Sequence, residues 1–524
     1  MTSLLIKNGL IIDGRRTKAY RGDLAIENGK ITRIGNLAKM NARRVVDAAG
    51  LVVAPGFVDI LNHSDSYYTL FDIPTFESMV RQGVTTVLIG NCGSSLAPLI
   101  EPASLISLQK WMDISEANVN WLKVGELLDE LERKKFGVNI ATLVGHATLR
   151  RGIVREEFRE LKREELDRMK LVLEEALQEG AFGLSTGLAY SHAKFASLAE
   201  LRELVQIVKN HGALYTTHLR DESKDFLRAL NETINLARET GASFEISHFK
   251  VMGETFWPYM ERALGMIDAS ENYGLDINFD VYPYVSIGSV LYIFLPDWVS
   301  RGGKKMLLAR LKEHTIRERL IKEMKANHYD YEKIIIAFSP HNKTLVGKSI
   351  SEIASNEEVG PEEAILNALA ASDGRIIAFM SVLGEENVVA AVRHKQSFIA
   401  SDGFGYRQEH RFQGKLVHPR CFGSFPRFLA QYVREKRMIN WEEAVQKISS
   451  GPARKVGLKL RGEISKDYFA DLTLFDPQTV RDLATFKDPF QYPLGIPYVI
   501  VNGEIVVEGE KLTGKLPGRI LRRV

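Results

Sequence analysis

A chain of 524 residues is longer than one compact core usually holds, since a barrel takes about 250, so one large domain with a smaller companion is expected. Its 45% apolar and 26% charged content is that of a globular protein and excludes extended disorder. The net charge of +3 is small for this length, which argues against nucleic acid or anionic membrane as a partner.

The first fifty residues alternate with strand period at 4–9, 31–35 and 45–47, with Gly and Asn turn signals between them. The start lacks the basic, apolar and small-residue regions of a signal peptide, and no apolar run reaches the ~20 residues of a membrane helix. The two cysteines, Cys92 and Cys421, argue against a disulfide framework and for a reducing, cytoplasmic setting. From Pro55 onward, short apolar strands alternate with helical stretches, which is the pattern of a parallel α/β sheet. Eight candidate strands end near Asp59, Gly90, Gly145, Thr186, His218, His248, Tyr282 and Asp402, predicting a (β/α)8 TIM barrel. Between the third and fourth, a helix is expected over 155–180, with Leu166, Met169, Leu173, Ala176 and Leu177 on one face.

The gap between strands seven and eight is too long for one helix. An insertion is expected at about 286–355, with a basic amphipathic helix over 304–326 and a strand over 333–338. The basic run at 301–305 reads as a solvated face. Strand texture returns at 471–476 and 498–503. The expected organisation is therefore a barrel over 55–454 and a small β-sandwich built jointly from 1–54 and 455–524.

A TIM barrel carries its chemistry at the C-terminal ends of its strands. Cys92, His218, His248 and Asp402 all fall there. A thiolate, two imidazoles and a carboxylate are zinc-ligand types, and a catalytic zinc keeps three protein ligands and one open position. A nearby carboxylate can take the proton of a water on the metal and pass it to a leaving nitrogen. Each residue alone reads more simply as a buried filler or a backbone-bonded imidazole. Four on one rim are not required by any structural need. His146, at the end of strand three, reads as a supporting residue rather than a ligand.

Pro55-Gly56-Phe57-Val58-Asp59 resembles the opening of the amidohydrolase superfamily. Gln82-Gly83-Val84-Thr85-Thr86-Val87, Gly90-Asn91-Cys92-Gly93 and the run from Gly183 to Tyr190 resemble the N-acyl-D-amino-acid deacylase (D-aminoacylase) family within it. Thr217-His218-Leu219-Arg220-Asp221-Glu222, Ile246-Ser247-His248, Tyr282-Pro283-Tyr284, Ser401-Asp402-Gly403 and His418-Pro419-Arg420 carry the likeness along the chain in order.

The resemblance implies one tight zinc on Cys92, His218 and His248, and Asp402 as general base toward metal-bound water. It implies Arg420 as the clamp on the substrate carboxylate, helped by Tyr282 and Ser289. Tyr190 is left either to polarise the scissile carbonyl or to pack against substrate or core. Phe195 and the insertion are candidates to line an acyl or side-chain pocket. The implied reaction is zinc-dependent hydrolysis of the amide of an N-acyl-D-amino acid, a small-molecule substrate, to a carboxylate and a free D-amino acid. The D-preference rests wholly on the resemblance.

One departure stands out. The superfamily's His-x-His after strand one is Leu61-Asn62-His63 here. Leu61 cannot bind a cation, so His63 and Asp402 are left as two donors for a second, weak metal position. The loss leaves open an active one-metal enzyme or a non-catalytic homologue, and retention of Cys92, both strand-end histidines, Asp402 and Arg420 favours activity. A cyclic amidohydrolase of the dihydroorotase or hydantoinase kind shares the barrel opening. Those enzymes usually place a bridging lysine on strand four, where this chain has Leu184-Ser185-Thr186.

Overall fold

The computed structural model describes residues 2–108, 118–155, 157–190, 193–326 and 329–523. Eight parallel strands form the barrel. They are β1 (Phe57–Asp59), β2 (Val84–Ile89), β3 (Asn139–Thr142, resumed at Val144–Gly145) and β4 (Gly183–Gly187). The ring continues with β5 (Leu214–His218), β6 (Ser243–Ile246), β7 (Ile277–Val281) and β8 (Ser397–Ile399). Each pairs in parallel with the next, from β1·β2 round to β7·β8. A parallel bridge between Asn62 and Gly403, just past the ends of β1 and β8, closes the ring. These strands are almost wholly buried, because helices cover the outside and side chains fill the inside.

Helices between the strands bury the stripe their sequence specifies. The helix Arg163–Gln178 buries Leu166, Met169, Leu173, Ala176 and Leu177. Its start lies at Arg163 rather than at the expected 155, because Glu165 reaches back to accept the Lys162 N–H at 2.7 Å and so caps the helix there.

The segment between β7 and β8 is built around a three-stranded antiparallel sheet, with Ile377–Met380 between Ile287–Val290 and Ile334–Phe338. Its central strand carries the insertion past 355, to Met380. The expected single helix at 304–326 is two, Gly303–Arg310 and His314–Lys325. Arg301, expected on a solvated face, is exposed but also lines the cavity described below.

The two ends of the chain meet in one nine-stranded sheet. Leu472–Phe475 pairs antiparallel with Val52–Pro55, which in turn lies beside Leu4–Ile11. Leu4, Ile6 and Leu24 from the first segment share an apolar cluster with Leu472, Leu474 and Ile500 from the last. This is a second core, separate from the barrel's.

Candidate active site

Cys92, His63, His218, His248, Tyr190, Tyr282, Ser289, Asp402 and Arg420 all line one cavity of about 280 Å³ at the C-terminal ends of the strands. Every residue singled out from the sequence as catalytic, ligating or substrate-binding is therefore in one place. His146 is not. It is fully buried, and its Nε2 lies 2.7 Å from Glu200, which also pairs with the buried Arg150.

The turns that present these groups are tight. Gly90 before Cys92 has φ +79°, and a Cβ there would sit 2.3 Å from the Leu143 carbonyl oxygen, so only glycine fits. Cys92, His248 and Asp402 themselves adopt positive φ, which turns each side chain inward from the strand end.

One ligand atom each from Cys92, His218 and His248 lies within 4.8 Å of the others. Cys92 Sγ is 3.5 Å from His248 Nε2, and the two imidazole rings meet edge-on at 4.4 Å. His218 Nδ1 is buried without a hydrogen-bond partner. A thiol and two imidazoles gathered this closely, one with an unsatisfied nitrogen, fit zinc and leave the open position that catalysis needs. His63 Nε2 approaches Asp402 Oδ1 at 3.0 Å and Cys92 Sγ at 3.9 Å. Leu61 is fully buried in an apolar cluster with Val58 and Leu88 and offers nothing to a cation.

Asp402 is the electrostatic centre. Burial would raise its carboxyl, but the Arg420 guanidinium, with Nη1 at 2.7 Å from Oδ2, and then His63 hold it well below the usual carboxylate range. It is therefore an anion, paired with Arg420. Arg420 stacks over the Tyr282 ring at 4.8 Å, and both its Nε and the Tyr282 hydroxyl are buried without a hydrogen-bond partner. Unsatisfied donors of this kind suit an incoming carboxylate.

A family profile described as "Amidohydrolase family" matches residues 44–283 and 416–507. The chain is 33% identical to the D-aminoacylase of Alcaligenes xylosoxydans xylosoxydans over 523 residues, covering 99% of this chain and 97% of that one. It is 32% identical to the N-acyl-D-glutamate deacylase of the same organism, covering 99% and 96%. The crystal structure of N-acyl-D-glutamate deacylase from Bordetella bronchiseptica, complexed with zinc and a phosphonate mimic of the tetrahedral intermediate, superposes with a TM-score of 0.85 at 31% identity, covering 100% of both chains.

The chain belongs to the D-aminoacylase family of amidohydrolases.

Two further residues complete this amidohydrolase site, and sequence reasoning gave neither a role. Glu222 Oε1 lies 3.2 Å from His248 Nδ1, and its Oε2 lies 3.4 Å from His218 Nε2. Lys250 Nζ donates to Glu222 at 2.6 Å and stands 2.8 Å from His248 Nδ1. Glu222 thus touches both imidazoles, and Lys250 bridges Glu222 and His248 Nδ1, a charged pair that orients the two rings. Burial would raise the Glu222 carboxyl, yet His218, Lys250 and His248 together pull it well below its ordinary value. Burial, with Lys250 and His218 adding to it, pushes the His248 imidazole down to about 4, which keeps it neutral and available as a ligand. Both residues were within reach of sequence reading. Glu222 ends the Thr217–Glu222 motif four residues after one candidate ligand, and Lys250 follows the other by two.

Proposed function

We propose that this protein is a zinc-dependent hydrolase that cleaves the amide bond of N-acyl-D-amino acids, releasing a carboxylate and a free D-amino acid. The observation that carries this reading is the juxtaposition, in one buried cavity, of the Cys92–His218–His248 donor set with the Asp402–Arg420 pair. The full-length likeness to deacylases of D-amino acids supports it.

Cys92, His218 and His248 hold the zinc, whose Lewis acidity polarises a carbonyl and lowers the pKa of water. Asp402, kept ionised, takes the proton of the attacking water and returns it to the departing amine. His63, against Asp402 Oδ1, fixes the orientation of that carboxylate. Arg420, Tyr282 and Ser289 hold the substrate carboxylate, and Tyr190, its ring tilted against His218 at 5.0 Å, faces the developing oxyanion. Residues 55–454 form the catalytic barrel domain, and 1–54 with 455–524 form the sandwich. Two buried cysteines and a near-balanced charge fit a cytoplasmic enzyme with a small-molecule substrate and no nucleic-acid partner. No helix among the described residues is long and apolar enough to cross a membrane.

Amine release from matched N-acetyl-D- and N-acetyl-L-amino acids, with and without added zinc, tests the reading. Turnover confined to D-substrates and dependent on zinc is the expected result. Turnover of hydantoins or dihydroorotate with silence on the linear panel would move the protein to the cyclic amidohydrolases. Silence on both in zinc-loaded protein would make it a non-catalytic homologue.

A further inference from the structure

Three residues at the centre of the site hold a backbone conformation that side chains disfavour. φ is +52° at Cys92, +38° at His248 and +46° at Asp402. Such a conformation is strained and persists only where the surroundings over-determine it. Next to each turn lies a fully buried aspartate from another segment, and each accepts a backbone N–H of that turn. Asp65 Oδ2 accepts from Gly90 at 2.8 Å, two residues before Cys92. Asp280 Oδ1, at the end region of β7, accepts from His248 itself at 2.9 Å. Asp59 Oδ1, at the end of β1, accepts from Ser401 at 2.8 Å. Its Oδ2 also accepts the Ser401 hydroxyl, and that hydroxyl accepts the Gly403 N–H at 2.9 Å, so Asp402 is bracketed on both sides.

Buried aspartates hold positive-φ turns elsewhere too, as Asp471 does at Asn502, so it is the place of these three that sets them apart. A buried carboxyl is costly unless it is hydrogen-bonded, and each of these three accepts a backbone N–H of a turn at the site. All three are bonded to the turns that carry positive φ at an active residue. None of the three lines the cavity, so none meets substrate. His218, by contrast, ends β5 without a positive φ.

We infer that Asp59, Asp65 and Asp280 are positioning residues, each locking one strained turn so that Asp402, Cys92 and His248 respectively point into the site. The inference rests on Cys92 and His248 being zinc ligands and Asp402 the base. Asp65 and Asp280 then govern metal affinity, and Asp59 governs turnover without governing the metal.

The test measures zinc affinity by chelator competition, the thiolate-to-metal charge-transfer band of the cobalt-substituted protein, and kcat and KM. Asp280→Ala and Asp65→Ala are expected to weaken zinc binding by about 10- to 100-fold, the usual effect of losing a residue that orients a ligand. Asp65→Ala should also weaken the charge-transfer band, because the thiolate is the group it aims. Asp59→Ala is expected to keep zinc affinity within about 2-fold while kcat falls about 10- to 100-fold at unchanged KM, since a small misplacement of a catalytic group costs on that order. If an alanine chain does not fold, near-isosteric Asp→Asn and Asp→Leu variants replace it. At Asp65 and Asp280 the amide retains an acceptor oxygen for the turn N–H and should stay near wild type, whereas leucine should not; at Asp59, where both oxygens accept, asparagine and leucine should both lower kcat. Equal behaviour of asparagine and leucine at Asp65 or Asp280, wild-type zinc affinity in folded Asp280→Ala and Asp65→Ala, or wild-type kcat in folded Asp59→Leu overturns the inference. Cys92→Ala and His248→Ala serve as controls. Unchanged zinc affinity in these would instead sink the ligand reading on which the inference rests.

Discussion

The two sides of the barrel mouth differ in what they can hold. On the side of β2, β5 and β6, Cys92, His218 and His248 converge, and Glu222 with Lys250 backs the two imidazoles. On the side of β1 and β8, Leu61 lies in hydrocarbon and His63 is bonded to Asp402. The first side offers three donors whose charges are already balanced by a buried carboxylate and an ammonium. The second offers a base whose two oxygens are engaged by His63 and Arg420. On the function proposed above, a single leucine in place of a histidine divides the labour: one side would keep the metal, and the other a carboxylate reserved for protons.

Four substitutions probe that division, taken from the largest expected effect down. Asp402→Asn should lower kcat by about 10³- to 10⁴-fold, at the upper end of what a general base contributes, while zinc content stays at one per chain. Retained zinc with lost turnover would separate the two sides cleanly, and near-normal rates would remove Asp402 from the chemistry. Cys92→Ala should weaken zinc binding by roughly 100-fold or more, read by metal analysis after dialysis, because only two of three donors remain. One tight zinc in that variant would refute the ligand assignment.

Arg420→Ala should raise KM for free-carboxylate substrates by about 10- to 100-fold, as the loss of a charged hydrogen-bonding partner predicts. Substrates amidated at that carboxylate should show little change, and an equal loss on both would assign Arg420 to holding Asp402 alone. Leu61→His blurs the division on purpose. It should let the protein take up a second zinc at excess metal, shared by His63 and Asp402, and slow turnover a few-fold as the carboxylate is drawn onto the metal, of the order of a weak single ligand contact. No change in metal stoichiometry would mean that the apolar pocket around Leu61 is not shaped for an ion.

Much of this was legible in the sequence because the relevant signals are local. The barrel strands are short apolar runs ending in the same few residue types, and those endings alone put Cys92, His218, His248 and Asp402 on one rim. The Leu61 departure was equally plain. The parts that escaped depend on contacts across the chain. Glu222 and Lys250 are ordinary charged residues until both imidazoles close on them. Asp59 stands in the sequence as a strand end and the last residue of the Pro55–Asp59 motif, with no role attached, and its bond to Ser401 spans 342 positions. The bounds of the insertion moved because the strand Ile377–Met380 finds its partners in Ile287–Val290 and Ile334–Phe338, a pairing that no local periodicity announces.

The sheet shared by the two ends of the chain has a consequence for how the molecule is made. Val52–Pro55 is synthesised long before its partner Leu472–Phe475, and the whole barrel is made between them. Throughout that interval the strand presents an open hydrogen-bonding edge beside apolar neighbours, the kind of surface that recruits other chains. Pairings this distant in sequence also slow folding, because the loop must close before the contact returns anything. Expression yield in this protein should therefore depend on shielding an unfinished edge, and the remedy for poor yield lies in the first fifty-five residues rather than in the barrel.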